Sequence, residues 1–236
     1  MFPHCIEASR TLGVDSDFRA RLESALARIP PYQIGKSGYV QEWIEDWQPG
    51  QQGHNVSPNF PFYPGSSITL RGNPEFAMAY QKWMEAHPPR GGFPLSWGIA
   101  MWARLERGDK VGSLIQTYVN RGPAVNLHNA GANQSDASFG YTAAVAEALV
   151  QSHAGEISLL PALPPQWPNG SVQGLCARGG YEVSIEWEKG KLSSAQISNR
   201  KGGSCRVRYR ETTTKLSLAR GEVAGLNGEL ATVVRH

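Results

Sequence analysis

The sequence predicts an α+β protein of more than one domain, in which helical hairpins come first and a small antiparallel β-sandwich follows. Apolar residues recur at helical spacing through five segments before residue 155. Beyond that point, short segments alternate apolar and polar residues, which is typical of half-buried strands. We therefore expect a helical domain over residues 1–155 and a β domain over residues 156–236.

The predicted helices are separated by clear start and stop signals. The first runs from about Asp15, a potential cap, to Ile29, where two prolines follow. The second begins at Asn73-Pro74, since proline is tolerated in a first turn. The third spans residues 94–107 and ends at Gly108; Asp109 is predicted to cap the fourth, so that these two helices form an antiparallel hairpin. The fifth spans residues 139–152.

Strand signals dominate after Gly155. Residues 181–188 alternate strictly and are followed by a Lys189-Gly190 turn. Shorter strands are predicted at residues 157–160, 205–209, 216–218 and 230–234. Cys176 and Cys205 lie in strand-like segments and could pair, leaving Cys5 over, but pairing cannot be deduced from sequence.

Composition excludes several classes of function. The 236 residues have a formal charge of only +3, and the basic residues are scattered, so we expect no nucleic-acid partner. No apolar run approaches the length of a membrane span, so we expect no membrane partner. No CxxC or clustered His/Cys pattern indicates a metal site, and no cofactor is implied.

The region over residues 30–72 holds the most informative stretch. Between Tyr39 and Trp47 lie three acids and two indoles. One interpretation is a half-buried surface helix, which the segment favours by itself because solvated acids beside core aromatics are ordinary. The other is a sugar site, in which an aromatic face stacks on the ring and a carboxylate does acid–base chemistry.

Helical hairpins joined by long polar and aromatic loops fit an α/α toroid, whose loops form a carbohydrate cleft at one end. Glycoside hydrolysis needs two carboxyl-linked functions beside the scissile bond. Glu42 is then a candidate acid, Asp136 a second carboxylate, and His54 and Asn55 candidate ligands for hydroxyl groups. The alternative role for Asp136 is that of a helix N-cap ahead of Phe139, and both roles are compatible.

Several motifs resemble glycoside hydrolase family 95, the α-L-fucosidases. Residues 30–35 followed by Val40-Gln41-Glu42-Trp43 resemble its catalytic-acid segment, and Tyr63-Pro64-Gly65 is similar to its tyrosine–proline–glycine turn. Residues 134–140 resemble its glutamine–isoleucine–aspartate–glycine–asparagine–phenylalanine–glycine motif. Further matches at residues 159–164 and 177–180 extend the resemblance from about Pro30 to Tyr209.

The resemblance implies an inverting hydrolase built as an (α/α)6 barrel with a C-terminal β domain. Glu42 corresponds to the general acid, and Asp136 to the aspartate that polarises a catalytic asparagine. The substrate would be a fucosylated oligosaccharide or another plant or host glycan, and a secreted enzyme is favoured although Met1–Glu7 lacks the pattern of a signal peptide.

The substrate-binding residues that we predict are Gln41, Trp43, His54 and Asn55. The family's histidine–arginine–histidine run appears here as Gly53-His54-Asn55, and its alanine–histidine–proline–proline loop as residues 130–133. These departures lie at substrate contacts, so they favour either another sugar, such as L-galactose, or a loss of activity.

Length is the other departure, since a six-hairpin barrel needs about twelve helices. The first half of the barrel and the catalytic asparagine have no counterpart in this sequence, so we expect the C-terminal part of a longer enzyme, partnered by the missing half. Such a part would expose apolar helix faces. Two alternatives stay open. One is a non-catalytic carbohydrate-binding or interaction remnant. The other is a toroidal phosphorylase, but the sequence has no Ser/Gly/Lys cluster of the kind that would bind its phosphate.

Overall fold

The structure is a computed structural model and describes residues 2–47, 57–120 and 135–235. Its helices are α1 (Phe2–Leu12), α2 (Ser16–Leu26), α3 (Pro74–Ala86), α4 (Gly92–Arg104), α5 (Gly108–Asn120) and α6 (Ser135–Leu149), with one 3₁₀ turn at Ser57–Asn59. Its strands are β1 (Val150–Gln151), β2 (Ile157–Leu159), β3 (Gly170–Ala177), β4 (Tyr181–Glu188), β5 (Lys191–Asn199), β6 (Gly203–Tyr209), β7 (Thr212–Leu218), β8 (Val223–Asn227) and β9 (Thr232–Arg235).

Helix α4 is the centre of the helical layer, because it is apolar around most of its circumference and packs against both α5 and α6. Its middle residues are fully buried in a core that also includes α3 and the segment around Phe62. At the start of α5, a Cβ on Gly108 would lie 2.2 Å from the carbonyl oxygen of Leu163. Glycine therefore lets this helix pack directly on the proline-rich crossing that follows β2.

Helices α4 and α6 run in the same direction, so the layer has two distinct ends. A Cβ on Gly140, near the start of α6, would meet Ser96 near the start of α4. Arg104 and Glu147 meet near their other ends at 2.7 Å. We call the end with the starts of α4 and α6 the loop end, and the end with Arg104 and β1 the sheet end; thirteen residues of helix separate them by roughly 20 Å.

The β part consists of two sheets packed over one hydrophobic core. The smaller has the order β1-β2-β6-β7 and the larger the order β3-β4-β5-β8-β9. Pairing is antiparallel except between β2 and β6, which are parallel. Along β4 the side chains of Tyr181, Val183, Ile185 and Trp187 face the core in strict alternation.

The predicted fold class is confirmed: a partial helical domain precedes a β domain rich in antiparallel pairs. Strand β4 has the predicted bounds, and the turn after it has positive φ at both Lys189 (50°) and Gly190 (71°), as a tight hairpin turn requires. The sheet already begins at Val150, where β1 pairs with β2. The division at residue 155 stays a prediction.

Other local predictions were wrong. Helix α1 and strands β3, β5 and β8 were not predicted, and α6 ends before the predicted Ser152. Gly108 does not end a helix but begins α5, and Asp109 lies inside its first turn, where it pairs with Arg107 at 2.8 Å rather than capping. The connection before it is tight because Glu106 takes a left-handed conformation, with φ of 57°.

The hairpin of α1 and α2 lies on the surface. None of the α2 side chains is buried, and Phe18 and Ile29, from the predicted apolar stripe, are 51% and 55% exposed. Cys5, Cys176 and Cys205 are all free thiols. Within the described parts of the chain, no helix is long and apolar enough to span a membrane.

Candidate active site

The segment before Glu42 is fixed by a small hairpin of backbone hydrogen bonds. Ile34 and Val40 form an antiparallel bridge. The Gly35 N–H donates to the Tyr39 carbonyl at 2.9 Å, and the Gln41 N–H donates to the Gln33 carbonyl at 2.9 Å. Since Val40 is buried in the helical core, the backbone that leads into Glu42 has little freedom.

This hairpin is attached to the C-terminal half of α3. Lys82 Nζ donates to the Ser37 carbonyl at 2.6 Å and lies 5.4 Å from the centre of the Tyr39 ring. The Tyr39 ring meets His87 edge-on at 5.6 Å, and His87 stacks on Trp83 at 5.0 Å. Because residues 87–91 connect α3 to the start of α4, these contacts bring Glu42 to the loop end.

Residues 42–47 do not form the half-buried helix that one interpretation of the sequence favoured. The chain bends over residues 42–45 and is irregular at residues 46 and 47; Trp43 is 56% and Trp47 65% exposed, with their ring centroids 6.3 Å apart. The Lys36 N–H donates to Asp46 at 2.9 Å, which ties the bends back to the hairpin. The indoles therefore face solvent instead of packing beneath the acids.

Glu42 and its neighbour Gln41 are both half-buried. The amide oxygen of Gln41 is buried, and it has no hydrogen-bond partner among the residues that the structure describes. An unpaired buried acceptor is costly, typically by ~1–3 kcal/mol. A carbonyl oxygen next to a candidate catalytic acid is suited to accept a hydrogen bond from a ligand hydroxyl.

Asp136 lies in the first turn of α6 and is exposed. Its Oδ1 accepts a hydrogen bond from the Ala137 N–H at 3.0 Å. Helix α6 begins at Ser135, one residue before Asp136. Asp136 is therefore not the N-cap that was predicted but a residue of the first turn. A carboxylate there is stabilised by the helix dipole and held in a defined place at the loop end.

Sequence reasoning did not single out a pair of stacked tyrosines at this end. The rings of Tyr118, near the end of α5, and Tyr141, in α6, have centroids 4.3 Å apart and are stacked nearly parallel, at 6°. The Tyr118 hydroxyl is buried and, like Ser138 Oγ, finds no hydrogen-bond partner in residues 2–47, 57–120 or 135–235. Only the periodicity of α5 signalled Tyr118, and it indicated a core residue.

Two predicted sugar ligands, His54 and Asn55, lie outside the described residues, as do Gly53 and residues 130–133. Gln41 and Trp43 flank Glu42 in the chain, and the contacts of this hairpin with the end of α3 place it toward the loop end, where Asp136 lies in the first turn of α6. Among the residues described, no group of three His, Cys, Asp or Glu side chains is arranged to hold a metal ion.

The sheet end contains a second polar cluster centred on Arg104, which is 3% exposed. Its Nε and Nη2 donate to the two oxygens of Glu147 at 2.7 and 2.9 Å, and Nη1 donates to the carbonyls of Phe62 and Gly65, both at 3.1 Å. The guanidinium also lies 5.3 Å from the centre of the Tyr63 ring. Arg104 thereby fixes the turn that contains Tyr63, whose pKa is raised chiefly by burial.

His153 lies beside this cluster and lines a small cavity of about 10 Å³ together with Arg71 and Arg104. Burial, with the nearby arginine charges, lowers the pKa of His153 to about 3. The imidazole is therefore neutral at ordinary pH. Its Nδ1 is buried without a partner in the described part of the chain, and the cavity has the size of one water molecule.

Comparison with known proteins points to one family over nearly the whole chain. Residues 1–149 match the profile described as the glycosyl hydrolase family 95 catalytic domain, and residues 151–232 match the family's C-terminal domain. A relative from Arabidopsis thaliana, Alpha-L-fucosidase 2, is 36% identical over 98% of this chain. Proteins named Probable alpha-fucosidase A from Aspergillus niger and Aspergillus oryzae are 27% and 26% identical over 89% and 80% of it.

The chain spans only part of each relative. The matched regions are 29% of the Arabidopsis protein and 30% and 31% of the two Aspergillus proteins.

Proposed function

Because this chain belongs to glycoside hydrolase family 95, we propose that it forms part of an inverting hydrolase that removes terminal α-linked L-fucose from glycans. In this proposal Glu42 is the general acid, and Asp136 supports the base. Gln41, Trp43, His54 and Asn55 contact the sugar. The helical catalytic part comprises residues 1–155, and the β domain residues 156–236.

One observation supports the proposal more than any other: the Glu42 segment is rigid and lies at the same end of the helical layer as the start of α6. The hairpin before Glu42 is fixed on α3, and Asp136 is fixed in the first turn of α6. Two carboxylates on rigid supports, with a half-buried acceptor and exposed indoles beside one of them, suit a sugar cleft.

The proposed reaction uses the two carboxylates differently. Glu42 in its protonated form donates a proton to the glycosidic oxygen as the bond from that oxygen to the anomeric carbon breaks. Water attacks the anomeric carbon from the opposite face and passes one proton to an asparagine side chain, which would come from outside this chain and which Asp136 would polarise through a hydrogen bond; that proton then leaves to solvent. The product is β-L-fucose, with Glu42 ionised until it regains a proton from solvent.

A second candidate, a carbohydrate-binding remnant without turnover, is favoured by one specific observation. The apolar side of α2 is exposed, with Phe18 half in solvent. The family resemblance implies an asparagine that activates water, and no residue of this chain is assigned to that role. Binding without hydrolysis would distinguish this candidate from the enzyme.

The test is an NMR time course of α-1,2-fucosylated lactose with this chain and with a chimaera. In the chimaera, this chain replaces the region of Alpha-L-fucosidase 2 that it matches, which is 29% of that protein. We expect the chimaera to release L-fucose first as the β anomer, and Glu42→Gln to slow release by about 10²–10⁴-fold. A folded chimaera without release would contradict the proposal; sugar binding without release would support the second candidate.

The same assay separates the role of Asp136 from simple binding. Replacement by asparagine keeps the shape of the side chain and removes its charge. We expect Asp136→Asn to lower kcat with little change in KM, because base support matters only in the transition state. A rise in KM alone would show that Asp136 binds the sugar instead.

A further inference from the structure

Trp43 and Trp47 form an exposed aromatic surface immediately after the proposed acid. We propose that this surface is a stacking subsite for the saccharide that leaves, meaning the sugar to which the terminal residue is attached. The inference rests on the proposed function, and it adds Trp47 to the substrate contacts.

Exposure is the first argument. Trp is highly buried on average, yet these two side chains keep 56% and 65% of their surface in solvent. Their centroids are 6.3 Å apart with the rings inclined by 47°, so the two neighbouring indoles present faces in different directions. Aromatic faces of this kind pack against the C–H face of a pyranose ring.

Rigidity is the second argument. The Asp46 carboxylate, between Ile44 and Trp47, accepts a hydrogen bond from the Lys36 N–H at 2.9 Å. It fits there only because residue 35 is glycine: a Cβ on Gly35 would lie 2.2 Å from Asp46 Oδ1. The bend that presents Trp47 is thus built before any ligand arrives, which lowers the entropic cost of binding.

Position gives the identity of the occupant. A general acid must touch the glycosidic oxygen, which the terminal sugar shares with the leaving sugar. The terminal sugar ends the glycan and fills the enclosed part of a cleft, whereas the leaving sugar extends toward solvent. Indoles that follow Glu42 directly and stay exposed therefore match the leaving sugar. Glu45, also exposed beside them, can accept bonds from its hydroxyl groups.

The experiment measures binding of the two sugars separately by saturation-transfer NMR on this chain. Lactose is the probe for the leaving saccharide, and L-fucose is the probe for the terminal one. We expect Trp47→Ala to weaken the binding of lactose by about two- to tenfold and to leave the binding of L-fucose unchanged, because only the leaving sugar stacks on this ring. Trp47→Tyr should restore most of the affinity for lactose.

Two matched variants accompany the measurement. Phe18→Ala removes an equally exposed aromatic side chain from α2 and should change neither affinity. Gly35→Ala keeps both indoles but displaces Asp46, so it should weaken lactose binding while circular dichroism shows the same helix and strand content.

The outcomes separate the two proposals. If L-fucose binds and lactose affinity is the same in Trp47→Ala, the subsite is wrong while the proposed function stands. If neither sugar binds the isolated chain, the same measurement is made on the chimaera, and absence of binding of both sugars there overturns both proposals. If Trp47→Ala changes the oligomeric state without changing lactose affinity, the surface is a protein contact and the subsite is overturned.

Discussion

The two ends of the helical layer use polar side chains in opposite ways. At the sheet end, Arg104 is buried and donates to Glu147 and to two carbonyls, while Gln151 donates to the carbonyls of Ala103 and Glu147. At the loop end, Gln41 and Tyr118 keep buried polar atoms that find no partner among the described residues. Apart from Nδ1 of His153, the sheet-end cluster pairs its polar groups within the chain, whereas the loop end has buried polar atoms without a partner in the described ranges.

Chemically identical residues have different roles at the two ends. Glu147 and Glu42 are both half-buried glutamates, but Glu147 is held in a bidentate pair with a fully buried arginine. Such a pair stabilises a junction of secondary-structure elements and leaves no freedom for proton transfer. Glu42 lies on a fixed hairpin beside exposed indoles, where a sugar can reach it.

The largest effect that we expect follows from breaking the sheet end. Glu147→Ala leaves the charge of Arg104 buried without its carboxylate and should lower the free energy of unfolding by about 3–5 kcal/mol. Glu23→Ala is the matched control, because the Arg10–Glu23 pair is exposed and should contribute only ~0.2–1 kcal/mol. Urea denaturation measures both, and equal losses would contradict the contrast between buried and exposed pairs.

A smaller effect concerns pH at the same end. The pKa of His153 is about 3 in the folded state and ordinarily 6.5. Between pH 3 and pH 6.5, His153 therefore binds a proton in the unfolded chain but not in the folded chain. Stability contributed by neutral His153 is therefore present above pH 6.5 and is lost as the pH falls, by up to about 1.4 kcal/mol per pH unit.

The variant His153→Leu should lose less stability than the parent between pH 6.5 and pH 5. Other titrating groups are common to both proteins and cancel in the comparison. Urea unfolding at several pH values measures the difference, and parallel pH profiles for the two proteins would show that His153 is protonated normally in the folded state.

The smallest effect compares two buried tyrosines. The Tyr80 hydroxyl donates to the Pro58 carbonyl at 3.0 Å, so Tyr80→Phe should cost about 1 kcal/mol. The Tyr118 hydroxyl has no partner in the described part of the chain, so Tyr118→Phe should be neutral or slightly stabilising. A loss of stability in Tyr118→Phe equal to that in Tyr80→Phe would mean that the loop end is as well satisfied as the rest.

The sequence predicted those parts in which local pattern and tertiary packing agree. Strand β4 alternates because one face lies on the core, and α3 starts at its proline. The predictions from sequence were wrong where contacts between residues distant in the chain determine the structure. Gly108 is needed where the start of α5 approaches the Leu163 carbonyl, not to end a helix, and the stripe of α2 stays exposed although its spacing is helical.

For the candidate site, motifs indicated Glu42 and Asp136, but no sequence pattern predicts that the hairpin before Glu42 and the start of α6 lie at one end of the helical layer. The sequence also could not decide between the two interpretations of the Tyr39–Trp47 stretch. The conformation depends on the hydrogen bond from the Lys36 N–H to Asp46 and on the space that Gly35, eleven positions before Asp46, leaves for that carboxylate. Such a contact leaves no periodic pattern in the sequence. The stacking of Tyr118 on Tyr141 joins two helices and is equally invisible in a local pattern.

The most direct test of the contrast between the two ends is one paired measurement on Glu42→Gln and Glu147→Gln in the active chimaera. Each variant is assayed for release of L-fucose and for its free energy of unfolding. We predict that Glu42→Gln loses turnover while its stability stays within about 0.5 kcal/mol of the parent. Glu147→Gln should lose stability and, where folded, keep turnover. A Glu42→Gln protein with full turnover would contradict the assignment of the loop end as the catalytic end.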